Sequence, residues 1–317
     1  MSLILGSHIS LNQKSKYLLG VVEETICNGA NCFMIFTGPP QNVKRVDTSL
    51  FYKEEALELA KQHNIDFSNC VVHAPYVFNL AGLDTDGYIV NILQSEIERT
   101  VSLGIKYFVV HPGSFRESKD EGIDNIVKNI LEVFRRTSHL DYFFCLETMA
   151  GKRNQIGACL EDLQLIFSKC NWDPKLALCL DTCHLHDSGY DLSKLEEFKK
   201  KLSNLFGGLE RVKVIHLGDS MNSIGARKDR HANYGLGHIG WETILKWAYD
   251  DYFSSLPIIV ETPYWKKQVK SKRSKETREI LVSPYKHEIS LLRNKKWEPI
   301  PNKDCLPIYD KNLKTTN

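Results

Sequence analysis

Nine side chains in this sequence are of kinds that ligate metal ions, and six of them close short apolar runs. His73 follows Cys70 to Val72, His111 follows Tyr107 to Val110, Glu147 follows Tyr142 to Leu146, Asp181 follows Leu176 to Leu180, His216 follows Val212 to Ile215, and Glu261 follows Ile258 to Val260. The other three lie just beyond such ends: His184 in Asp181-Thr182-Cys183-His184, and Asp229 and His231 in Asp229-Arg230-His231. A single histidine after an apolar run is an ordinary loop residue. Six ligand-type residues ending six consecutive runs are not explained that way. Five imidazoles and four carboxylates exceed the needs of one tetrahedral ion and suffice for three if a carboxylate bridges. Imidazole-rich ligation favours zinc, with manganese or iron as substitutes at one site, over all-oxygen magnesium or calcium. Three divalent ions, four carboxylates and a hydroxide leave the site positive, so its substrate is an anion. Such a cluster makes hydroxide near neutral pH, clamps phosphoryl oxygens and stabilises a departing alkoxide. Hydrolysis of a phosphate ester is therefore the expected reaction.

Residues this far apart in sequence meet only if the fold gathers the ends of the runs. Leu3 to Leu5 and Cys32 to Phe36 precede the six runs above, making eight in all, each short and rich in β-branched or aromatic residues. Helical periodicity lies between them, as in Leu50 to His63, Tyr88 to Leu103, Ile123 to Arg136, Leu192 to Phe206 and Trp241 to Tyr249. Apolar strands joined by helix-length crossovers predict an α/β fold, a parallel (β/α)8 TIM barrel with its active site at the C-terminal strand ends. The alternative is an open doubly wound sheet. Gly6-Ser7-His8 after the first run lacks the Gly-x-Gly-x-x-Gly turn of a dinucleotide site. The sequence predicts one barrel domain over residues 1–293, a basic loop insertion around 264–278 and a C-terminal extension over 294–317.

Composition excludes several other classes. With 317 residues, 42% hydrophobic and 25% charged, the chain can bury a large core and is not a disulfide-stapled miniature or a disordered tail. Its 41 Lys and Arg nearly balance 39 Asp and Glu, so any nucleic-acid surface must be local. The nine cysteines form no Cys-x-x-Cys pair, and Cys32, Cys70, Cys145 and Cys179 lie in apolar runs, as reduced core residues do. The N-terminus lacks a signal peptide, and no window reaches the roughly 18 apolar residues of a membrane span. These features predict a soluble intracellular protein with no membrane association, leaving nuclear, cytoplasmic and viral settings open.

Read in order, Gly6-Ser7-His8-Ile9-Ser10, His73-Ala74-Pro75-Tyr76, His111-Pro112-Gly113-Ser114, Leu146-Glu147-Thr148, Leu180-Asp181-Thr182-Cys183-His184, Gly189-Tyr190-Asp191, His216-Leu217-Gly218-Asp219-Ser220 and Asp229-Arg230-His231 resemble the endonuclease IV family of abasic-site endonucleases. The resemblance runs from about Leu3 to Glu261 and on to a helix ending near Arg293. It implies a trinuclear zinc barrel that cuts double-stranded DNA 5′ to an abasic site, leaving a 3′-hydroxyl and a 5′-deoxyribose phosphate, and that clears blocked 3′ ends. It implies His73 and His111 on one zinc and Asp181, His216 and Glu261 on a second. Glu147 would bridge these two, and His184, Asp229 and His231 would hold the third. The catalytic nucleophile is then a metal-bound hydroxide, with no protein general base. His8 belongs to the same pattern, either orienting a ligand or shaping its loop.

The DNA-reading loops depart from that pattern. Where relatives carry an arginine after the second strand, this chain reads Thr37-Gly38-Pro39-Pro40-Gln41-Asn42, placing Gln41 at that position. Tyr76 matches an aromatic residue that enters the minor groove in relatives. Arg153 is a candidate phosphate contact, with a solvated loop cation as the alternative, and Arg230 is a candidate DNA contact. Lys270, Lys272 and Arg273, together with Lys275, are candidate contacts to phosphates flanking the lesion, in the stretch Lys266 to Arg278, whose alternative readings are a solvated loop or a nuclear-localisation patch. No obligatory protein partner is expected. Two rivals stand beside the nuclease. A metal-dependent sugar isomerase or epimerase would need only Glu147, Asp181, His216 and Glu261, and a binder of damaged DNA that has lost catalysis would not keep the full ligand set.

Overall fold

In the computed structural model, residues 3–270, 277–301 and 305–306 are described. Apolar residues make eight short strands here because each strand is buried on both faces. The chain runs β1 (Leu5–His8), α1 (Leu18–Cys27), β2 (Cys32–Ile35), α2 (Lys53–Gln62), β3 (Val71–His73), α3 (Tyr88–Ser102), β4 (Tyr107–Val110), α4 (Lys119–Arg136), β5 (Phe143–Glu147), α5 (Leu160–Lys169) and β6 (Leu176–Asp181). It continues through α6 (Thr182–Ser188), α7 (Leu195–Phe206), β7 (Val212–Leu217), β8 (Asp219–Ser220), β9 (His231–Ala232), α8 (Trp241–Ala248), β10 (Ile258–Val260), β11 (Trp265–Lys270), β12 (Thr277–Val282), α9 (Tyr285–Asn294) and β13 (Cys305–Leu306).

Strands β1 to β7 and β10 pair in parallel as a closed barrel, β10 closing against β1 with Leu5 opposite Ile258 and Ser7 opposite Val260. The barrel expected from the alternating runs is the observed architecture. Its wall and the helices share one apolar core that includes Phe33, Phe108, Phe144, Leu178, Ile215 and Trp247. Closure between β1 and β2 needs Gly6, because a Cβ there would lie 2.3 Å from the Cys32 carbonyl oxygen. All nine cysteines are free thiols; seven are buried, Cys159 is partly covered, and Cys27 at the end of α1 is exposed.

Several boundaries differ from the sequence expectation for one reason. The polar residues that end the apolar runs still lie on the strands: His73, Glu147, Asp181 and His216 are all strand residues, and β1 runs to His8 rather than stopping at Leu5. The parallel ladder bonds backbone to backbone and is indifferent to side-chain polarity. Helix α4 starts four residues before Ile123 because Ser118 caps it, accepting from the Glu121 amide at 3.2 Å.

The segment expected as a basic loop around 264–278 is instead largely two antiparallel strands, β11 and β12, in register from Trp265 opposite Val282 to Lys270 opposite Thr277. Trp265 is buried and anchors this hairpin beside His287 of α9. Residues 305–306, from the expected C-terminal extension, return to pair with β11 opposite Lys266 and Lys267. Lys270 ends β11, whereas Lys272, Arg273 and Lys275 lie outside the described residues. Among the described residues, no helix is long and apolar enough to cross a membrane.

Candidate metal centre

Parallel strands bring their C-terminal ends to one mouth. His73, Glu147 and Asp181 are the last residues of β3, β5 and β6, His216 lies one residue from the end of β7, and His111 and Glu261 directly follow β4 and β10. His184 stands in the first turn of α6, whose N-cap is Asp181, and the β8–β9 segment carries Asp229 and His231. Ligand-capable atoms then fall into groups spanning no more than 4.8 Å: His73, His111 and Glu147; Glu147, Asp181, His216 and Glu261; and His184, Asp229 and His231. Glu147 is shared by the first two. A fourth grouping, Asp181 with Cys183 and His231, adds a buried thiol that the sequence reading leaves out.

The distances suit ions. Nε2 of His73 and of His111 lie 3.1 and 3.0 Å from Glu147 Oε2, while His216 Nδ1 lies 3.1 Å from Glu147 Oε1 and 3.4 Å from Glu261 Oε1. His184 Nε2 is 3.0 Å from Asp229 Oδ1, and His231 Nε2 is 3.6 Å from the same oxygen. Ligands about 2.0–2.1 Å from a tetrahedral ion stand about 3.3 Å apart. Three imidazoles are aimed by their second nitrogen: Nδ1 of His73, His184 and His231 donates to the carbonyls of Ala74, Thr148 and Glu261 at 2.8, 2.8 and 2.6 Å, which turns Nε2 inward. Asp181 Oδ2 is buried without a hydrogen-bond partner, a cost that a cation would remove. The donor set therefore fits metal ions.

Glu147, Asp181 and His216 form a floor sealed from solvent, while the side chains of His111, Asp229 and Glu261 are 32, 30 and 22% exposed at the rim. Charge at the floor is strongly coupled. Burial would raise the Glu147 carboxyl, but the imidazoles of His111 and His216 hold it well below the ordinary range. Burial would lower His216, yet Glu261 and Glu147 push it up to about 9. His184 and His231 shift up against the same penalty, each mainly through Asp181. Asp229, despite burial, is drawn down to about 2 by His184. Burial keeps His73 low.

His8, Phe36, Tyr76, His231, Glu261 and Tyr285 border a cavity of about 410 Å³ beside the ligands. His8 packs edge-on against Phe36, and its Nε2 is buried without a partner. Tyr76 is 57% exposed at the mouth, its ring 5.3 Å from that of His111 and 5.4 Å from that of His73. Its amide donates to the Pro40 carbonyl at 2.9 Å, which ties together the loops after β2 and β3. Gln41 is exposed on the first of those loops. The same loop contains an arginine, Arg45, but its Nε is committed to Glu96 at 2.5 Å and its Nη1 to the Asn42 and Lys44 carbonyls, so it braces the loop and does not reach outward. Arg153, at a left-handed φ of 55°, and Arg230 are exposed on the loops after β5 and β8.

Sequence reasoning passed over the residues that hold this geometry. Thr148 accepts the Asp181 amide on its hydroxyl, and Thr182 bridges to the amide and carbonyl of Gly218. Asn79 exchanges two hydrogen bonds with the Ser114 backbone, fixing the turn after His111; a Cβ on Gly113, where φ is +96°, would meet Asn79 Oδ1 at 2.1 Å. Asp219 is fully buried and accepts from the amides of Ser220, Gly235, Gly237, Ile239 and Gly240. Glu288 of α9, raised to about 7 by burial, accepts from Asn233, Thr262 and the Tyr234 amide. Thr148, Thr182 and Asp219 stand inside the quoted motifs, the one signal that could have found them.

Residues 24–283 match a family described as a xylose isomerase-like TIM barrel. A protein of Aster yellows witches'-broom phytoplasma named Probable endonuclease 4 is 38% identical over 301 residues, covering 94% of this chain and 98% of its own. The crystal structure of endonuclease IV from Thermus thermophilus superposes with a TM-score of 0.74 at 28% identity, over 92% of this chain and 97% of that one. A D-tagatose 3-epimerase-like protein superposes at 0.60 with 18% identity, over 92% and 99%, which is a likeness of fold alone. Near-complete coverage by its relatives, together with the barrel and the ligand groups at its mouth, makes this chain a member of the endonuclease IV family.

Proposed function

We propose that this protein is a DNA-repair endonuclease that hydrolyses the phosphodiester 5′ to an abasic site in double-stranded DNA, leaving a 3′-hydroxyl and a 5′-deoxyribose phosphate, and that trims blocked 3′ ends. Relatives that span nearly the whole chain carry the endonuclease name. The observation that carries the reading is the third group, His184, Asp229 and His231, beside the four side chains a sugar isomerase would need. An isomerase acting through Glu147, Asp181, His216 and Glu261 has no use for five further ligands. In this reading His73, His111 and Glu147 hold one zinc, Glu147, Asp181, His216 and Glu261 a second, and His184, Asp229 and His231 the third, with manganese or iron able to replace zinc at one site. Bound zinc supplies Lewis acidity toward phosphoryl oxygens and lowers the pKa of water. The chain contributes alignment: Nδ1 bonds to backbone carbonyls fix three imidazoles, and the solvent-exposed rim leaves room for a phosphodiester to approach.

Zinc-loaded protein should nick a duplex carrying a tetrahydrofuran abasic analogue, which cannot undergo β-elimination, and the product end should be extended by a polymerase without further processing. Absence of nicking by protein with its full zinc complement would overturn the assignment, and epimerisation of a ketose by the same sample would favour the rival.

DNA contact is assigned to Tyr76, Gln41, Arg153 and Arg230, with Lys270, Lys272 and Arg273 as flanking phosphate contacts. Tyr76 is exposed and backed by the His111 and Phe36 rings, a suitable wedge, whereas Gln41 offers only neutral hydrogen bonds. Tyr76→Ala is expected to weaken binding to abasic duplex by about 1–3 kcal/mol, and Gln41→Ala by less. Fluorescence titrations giving the opposite order would refute this ranking.

A further inference from the structure

Asp187 lies three residues beyond His184 on α6, the short helix that Asp181 caps. Its side chain is fully buried and takes no place among the nine ligands. One oxygen accepts from the Ser220 hydroxyl at 2.6 Å. The other accepts from the Asn222 amide nitrogen at 2.9 Å and from the backbone amides of Asp229 at 2.7 Å and Lys228 at 3.3 Å. The Asp187 carbonyl accepts a further backbone amide, that of Arg227, at 2.9 Å.

Other backbone bonds tie the two ends of this segment, the Gly225 amide to the His186 carbonyl at 3.0 Å and the Met221 amide to the Arg230 carbonyl at 2.9 Å, while the Lys228 and Asp229 amides between them go to Asp187. Most residues from 223 to 230 are exposed, and none of them belongs to a helix or strand. Arg227 and Asp229 are both in the left-handed region, at φ 54° and 58°, where a residue with a Cβ is strained. Two successive amides converging on one carboxylate oxygen form a small anion nest, and bonds to a buried charge are strong enough to offset that strain. Asp229, the residue set by this nest, presents Oδ1 to His184 and His231.

We propose that Asp187 is a positioning residue that presets Asp229 in its strained conformation, so that the His184, Asp229 and His231 group is assembled before an ion arrives. The second half of this statement rests on reading that group as an ion site. The clamp itself does not. Asp187→Asn keeps the volume but turns an amide donor toward donors. In ion-free protein, hydrogen exchange at the Lys228 and Asp229 amides should accelerate at least about tenfold in the variant, with α4 amides unchanged. Counted by mass spectrometry after dialysis against a weak chelator, zinc should fall from three ions per chain to two, and kcat on abasic duplex should drop with KM nearly constant. Arg227→Gly, which accepts positive φ without strain, should restore part of the ion retention in the Asp187→Asn background, a rescue that general loss of stability would not show. Should Asp187→Asn fold poorly, Asn222→Ala removes one bond to the same oxygen and should loosen the two amides in the same direction by less.

Unchanged exchange at both amides would overturn the clamp. Loosened amides with three ions held at wild-type affinity would overturn its link to the site. A wild type that holds no third ion, its amides still loosened by Asp187→Asn, would refute the ion reading and leave the clamp standing.

Discussion

Glu147→Gln is expected to lower cleavage of abasic duplex at least about a thousandfold, on the order of 4 kcal/mol of barrier, while the barrel stays folded. The carboxylate is buried, and its two oxygens face three imidazoles, Oε2 toward His73 and His111 and Oε1 toward His216, all at 3.0–3.1 Å. An amide replaces one oxygen with a donor that cannot ligate, so one of the two groups loses its shared member whichever way the amide turns. Bound zinc should fall as well, and circular dichroism should separate this from unfolding. Full activity or a full ion count in the variant would show that Glu147 is not the shared ligand.

The second large effect concerns removal of the ions. In ion-free protein the sign follows from the raised imidazoles. His216 is ordinarily protonated below 6.5 and in the fold stays protonated to about 9, so its contribution is complete below 6.5 and is lost as pH rises through 9. His184 and His231 are shifted in the same direction and add to it, whereas His73, shifted down, has its effect below this window. His216 alone accounts for on the order of 3 kcal/mol. The melting temperature of chelator-stripped protein should therefore fall between pH 6.5 and 9. Zinc-loaded protein, its imidazoles neutral as ligands throughout, should show a nearly flat profile and a stability advantage that widens with pH. Calorimetry in which the stripped protein gained stability over that window would contradict the charge arrangement at the floor.

The barrel and the clustering of ligand-type side chains at its mouth were legible for a common reason: apolar runs and the polar residues ending them are local features, and parallel closure brings those ends together. What stayed hidden was long-range. Asp187 reaches residues 33 to 42 positions away, and Glu96 reaches back 51 and 59 positions to Arg45 and Thr37, so no window of sequence contains both partners. Helix α6, in which only Cys183 and Leu185 are apolar, has no apolar period to reveal it; its start is set by Asp181 accepting the His184 amide at 2.7 Å. The hairpin β11–β12 was hidden by its cations, because Lys266 finds Glu279 at 2.9 Å only after the strands have paired. The loop after β2 has the opposite lesson. A cation is present at Arg45, but nothing in the local sequence shows that Glu96 turns it inward.

Because the strands all point one way, the barrel has two ends with different chemistry, and Cys27, the one exposed cysteine of the nine, closes α1 just before β2 begins. That places it at the end opposite the clustered His, Asp and Glu side chains. A maleimide dye should therefore couple fastest at Cys27, at a fixed address behind the mouth, and Cys159→Ser removes the partly covered thiol before α5 that could compete for it. One substitution thus prepares the chain for single-molecule observation on a lesion-bearing duplex, and adding Cys27→Ser supplies the unlabelled control.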